Sequence, residues 1–93
     1  MEEFKENWGF VVTVTEAKPG CRAGHKVGDR FEFEYGTPLG LCGEAFCAMY
    51  PVIHAMRLGA DLSSGEAKDP DTTTFTCPDH AWVTFEVRRV RRE

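Results

Sequence analysis

The chain has little positive charge. Across 93 residues, 11 Lys and Arg stand against 15 Asp and Glu, a formal net charge of −4. That balance lacks the basic footprint of a dedicated nucleic-acid binder, so no nucleic-acid partner is expected. No stretch approaches the roughly 20 apolar residues that cross a bilayer, which argues against a membrane role. The opening Met1-Glu2-Glu3-Phe4-Lys5-Glu6 is acidic where a signal peptide would be basic and then apolar. Export is therefore not expected, and a cytoplasmic location is. Phosphate-cradling loops, a Ser-His-Asp order and paired catalytic carboxylates are also missing, so no reaction can be assigned and the question of enzyme activity stays open. Disorder is excluded from the other side, because 42% of residues are hydrophobic and 12% aromatic. The length fits one small domain over residues 1–93, without repeats. Such a domain buries ~60–65% of its unfolded surface and folds with little to spare.

Against that background, four cysteines stand out: Cys21, Cys42, Cys47 and Cys77. In a secreted miniprotein an even count would read as a disulfide framework. A reducing compartment and good strand and helix patterns speak against it here.

The patterns run as follows. Trp8, Phe10, Val12 and Val14 alternate with Gly9, Val11, Thr13 and Thr15, which predicts a strand over 8–15 that ends at Pro19-Gly20. A second strand is predicted over 27–35, with Val27, Phe31, Phe33 and Tyr35 on one face and Gly28-Asp29 as its entry turn. From Cys42 to Leu58 the period changes. Cys42, Ala45, Phe46, Met49, Ile53 and Met56 recur at three- and four-residue steps, the stripe of an amphipathic helix closed by Gly59. Pro51 removes a donor to the Cys47 carbonyl, so the helix is expected to kink or to split near Tyr50. Residues 60–72 read as an exposed loop with no packing face. A short strand near 73–77 and a last one over 82–90 follow, the latter with Val83, Phe85 and Val87 inward and Arg88 outward. Arg89, Arg91 and Arg92 trail into a solvated terminus. The order β-β-α-β-β implies an α+β domain, an antiparallel sheet of three to four strands on one kinked helix.

Three cysteines lie at turns or element ends, where functional groups concentrate. They are Cys21 in Cys21-Arg22-Ala23-Gly24-His25-Lys26-Val27-Gly28-Asp29, Cys42 in Gly40-Leu41-Cys42-Gly43-Glu44-Ala45-Phe46, and Cys77 in Cys77-Pro78-Asp79-His80. In the expected sheet, all three segments can meet at one end. Cys42 at a helix start feels the positive end of the macrodipole, which favours thiolate, and it equally suits a small core position. Cys21 has Lys18, Arg22, His25 and Lys26 as neighbours, or is a solvated turn cysteine. Cys77 has the Cys-x-x-His spacing of a metal knuckle, or is a buried strand end. His25 and His80 are candidate fourth ligands of a zinc or iron site on Cys21, Cys42 and Cys77; otherwise both are surface turn residues. Asp29 and Asp79 would orient the histidines from behind, or simply form turns. Cys47 lies about 140° around the helix from Cys42. It belongs instead to a second helix face with Tyr50, His54 and Arg57, a candidate homodimer contact.

Along these same segments the chain resembles a family of uncharacterised prokaryotic proteins about ninety residues long. The matching residues are Cys21, Gly24-His25, Val27-Gly28-Asp29, Gly40 through Phe46, Tyr50-Pro51, Cys77-Pro78-Asp79, Val83 and Phe85-Glu86. The family's pattern has Pro at the place of His80 and no regular cysteine at that of Cys47. The resemblance implies that Cys21, Cys42 and Cys77 belong together, and it implies no reaction. Three functions are consistent with these residues. The first is a small metal-binding domain on the three cysteines. The second is a thiol-based redox or small-ligand protein, and the third is an interaction module with structural cysteines.

Overall fold

A computed structural model describes residues 8–62, 69–78 and 80–91. Its elements are β1 (Trp8–Ala17), β2 (Arg30–Phe33), α1 (Gly43–Arg57), β3 (Thr72–Thr76) and β4 (Val83–Arg91). The strands form one antiparallel sheet in the order β2-β1-β4-β3. The α+β architecture and the element order are those the sequence pattern predicts.

The alternation in β1 places Phe10, Val12 and Val14 on the covered face, where each is at most 1% exposed. Val83, Phe85 and Val87 of β4 extend that face, and Ala45, Met49, Ile53 and Met56 of α1 close over it. β1 gains an extra residue between Val14 and Glu16, where its register against β4 shifts. A bulge of this kind bends a strand away from its neighbours.

The helix is one continuous run through Pro51 rather than two helices meeting at Tyr50. It ends at Gly59, whose φ of +92° is costly for any residue with a side chain. The Ala60 N–H reaches the Ala55 carbonyl and the Gly59 N–H reaches Met56, the paired bonds of a Schellman ending. Among the described residues, no helix is long and apolar enough to cross a membrane.

Three expectations are corrected. β2 is four residues long, not nine, and Val27 and Tyr35 are 65% and 71% exposed. Val27 sits in a tight turn closed by Asp29 N–H to the Lys26 carbonyl, and the backbone bends again over 34–36, so period two cannot carry through either end. The described parts of 60–72 are more engaged than loop composition suggests. Leu62 packs against the core, and the Asp71 carboxylate is bonded to Arg89; residues 63–68 lie outside the described residues. Arg89 is not in a solvated terminus. It is 6% exposed, because the alternation of Val83, Phe85 and Val87 continues to it.

Candidate functional site

β1 ends and β4 begins at the same edge, with Ala17 opposite Val83. The β1–β2 connection and the β3–β4 connection therefore leave the sheet at one end. Residues 34–42 carry the chain from the opposite end, where the Glu34 carbonyl accepts from Arg57, back to the start of α1 beside His25. Topology thus delivers three separate turn segments to one place.

There they enclose a cavity of about 300 Å³. Cys21, Arg22, Ala23 and His25 line it from the β1–β2 connection. Cys42, Gly43, Glu44 and Ala45 line it from the start of α1. Cys77 and Pro78 come from the last turn, and Trp82, Val83 and Phe85 form an apolar floor. The three cysteines singled out in the sequence are on its wall, each half-buried; no disulfide joins them. Cys47 is exposed on the helix and is not part of the lining, and Tyr50 and His54 share its outer surface, their rings 6.3 Å apart.

His25 is the largest departure from expectation. It is 7% exposed, not a surface turn residue, and its ring meets Phe31 and Phe85 edge-on at 5.3 and 5.8 Å. Its Nε2 accepts the backbone N–H of Cys42 at 3.1 Å. A neutral imidazole that accepts at Nε2 carries its proton on Nδ1. The Nε2 lone pair is then taken by the Cys42 N–H and Nδ1 carries the proton, so in this arrangement His25 does not offer a lone pair to a metal. The burial of this turn histidine was hidden from the sequence, because its packing partners lie 6 and 60 residues away.

The other expected ligands behave differently. His80 is exposed, adopts φ +63°, and packs on Trp82 with ring centroids 4.8 Å apart, off the cavity lining. The Asp29 carboxylate accepts from the Lys26 N–H at 2.9 Å and so forms its own turn. Asp79 lies outside the described residues. Among the described residues, no group of three or more His, Cys, Asp or Glu side chains is placed to hold one metal ion. The thiols line a space instead of converging on a point.

Two backbone details shape that space. Gly20 has φ +115°, and a Cβ there would come within 3.2 Å of the Trp82 ring, so glycine lets the Cys21 turn close onto the floor. Cys42 is the N-cap of α1 and makes no side-chain capping bond. The sequence pointed to the cysteines but not to Trp82 and Phe85 as floor or to Glu44 as wall. Only Arg22, adjacent to Cys21, carried a local signal. Comparison with family models, curated proteins and solved structures yields no match for this chain.

Proposed function

We propose that this protein is a small-ligand-binding domain whose pocket is the cavity at the start of α1, with Cys21, Cys42 and Cys77 as its reactive or coordinating groups. One observation carries the reading: three cysteines from separate turns line a single cavity of about 300 Å³. That is the scale of a small-molecule pocket, apolar in the main with a few polar groups. Core packing alone does not require three half-buried thiols around an open space.

Phenylarsine oxide tests this, because its arsenic bridges two thiols with loss of one water and its ring needs apolar room. One equivalent is expected to bind per chain, retained in C47S and abolished in C21S/C42S/C77S, as read by intact mass. Binding that persists in the triple variant overturns the proposal. A mononuclear zinc or iron site on the same three cysteines is the second reading, favoured by their sharing one wall. It requires the sulfurs to draw together, with neither histidine as the observed fourth ligand. Stoichiometric metal in untagged protein, with unfolding by chelator, would replace the first reading with this one.

A further inference from the structure

From the polar groups around the cavity we infer that its ligand is a compact organic anion, with the negative group at the start of α1 and an apolar body over Trp82 and Phe85. The inference rests on the pocket reading above and adds the ligand's charge and orientation.

Three sets of donors meet there. The first is the helix start. Cys42 gives no side-chain cap, and the first helical bond across the cap runs from Phe46 N–H to the Cys42 carbonyl. The N–H groups of Gly43, Glu44 and Ala45 therefore have no hydrogen-bond partner among the described residues, and all three residues line the cavity. N–H groups left unpaired at a helix start and the positive end of the macrodipole favour an anion.

His25, on the β1–β2 connection, supplies the second donor. With Nε2 accepting from Cys42, Nδ1–H has no hydrogen-bond partner among the described residues. It is not sealed in the core either, since Trp8 Nε1 and Arg57 Nε are the buried side-chain atoms there that lack a partner. For a residue only 7% exposed, the open space it reaches is the cavity it lines. A donor that opens onto the cavity is available to an acceptor bound there. The third donor is Arg22, the only Lys or Arg in the lining.

One group opposes the anion. Glu44 lines the same wall in the first turn of α1, where its own charge suits the dipole. It is exposed, so water screens it more than it screens a carboxylate inside. The floor of Trp82, Val83 and Phe85 takes an apolar body.

Benzoate and its neutral counterpart benzyl alcohol separate the two levels of the argument. In ¹H–¹⁵N spectra of the full chain, benzoate is expected to shift Cys42, Gly43, Glu44 and Ala45. Its binding should be about tenfold tighter than that of benzyl alcohol. R22Q should weaken benzoate severalfold and E44Q should tighten it; both sites are exposed, so neither change threatens the fold. Equal or tighter binding of benzyl alcohol at the same residues overturns the anion and leaves the pocket standing. Shifts of R22Q and E44Q in the same direction overturn the placement of the carboxylate. No response of the cavity residues to either compound overturns the anion, and phenylarsine oxide then decides the pocket separately.

Discussion

The two ends of α1 are built by opposite rules. At its C-terminal end two arginines are drawn into the packing and bonded through their guanidinium groups, with only Arg57 Nε left without a partner there. Arg89 donates to the Asp71 carboxylate at 2.7 and 3.0 Å, to the Met56 carbonyl at 2.7 Å and to the Pro70 carbonyl at 3.0 Å. Arg57 donates to Tyr50 and to the Glu34 carbonyl, with its guanidinium over Phe10 and Tyr35 at 5.1 and 4.7 Å. Segments distant in sequence are tied there into one packed cluster. At the N-terminal end the helix is uncapped, the thiols are half-buried, and a cavity replaces packing. Small domains have little stability to spare. An end held by charge-assisted bonds lets the other stay open, and the open end is where binding groups collect.

Substitution should separate the ends by the size of its effect. Arg89→Met retains the apolar stem and removes every guanidinium bond. Asp71 keeps access to water, and Met56 keeps the Gly59 N–H, so the loss is less than that of a fully buried ion pair. We expect about 2–3 kcal/mol from the urea midpoint at unchanged slope. A loss below about 1 kcal/mol would erase the contrast.

Arg89 also shows where sequence reading stopped short. Alternation from Val83 already places residue 89 inward, yet a cluster of arginines at a terminus reads as solvated charge. Only the distant Asp71 and the carbonyls of Met56 and Pro70 make burial affordable. The converse error was Val27 and Tyr35, both in phase with Phe31 and Phe33. Periodicity extends a strand until the backbone turns, and the Lys26–Asp29 turn and the bend at 34–36 intervene. The core stripes and the meeting of Cys21, Cys42 and Cys77 were legible, because each depends on local spacing plus antiparallel connection. The depth of His25 and the cavity floor were not, because they depend on which rings pack across the sheet.

His25→Leu probes the open end at matched bulk. It removes the acceptor for the Cys42 N–H and leaves contacts to Phe31 and Phe85 available. Water entering the cavity can replace the lost partner, so the cost should be about 1 kcal/mol, below that of Arg89→Met. A larger loss than for Arg89→Met would mean that the helix start, not its end, holds the fold.

The smallest effects should come from the thiols, and they decide what the cysteines are for. Cys21, Cys42 and Cys77 are each half-buried beside an open volume, so Cys→Ser exchanges little packing and leaves the hydroxyl room to hydrate. Each single change should cost at most about 1 kcal/mol, while Cys47→Ser on the exposed helix surface should stay within about 0.5 kcal/mol. If one cavity cysteine costs about 3 kcal/mol or more, its sulfur is filling the core. The site would then be a packing defect lined by structural residues. If all four changes are nearly silent in stability but the three cavity changes alone abolish arsenical binding, the thiols contribute little to the fold. Their position at the unpaired end of α1 is then explained by what they bind.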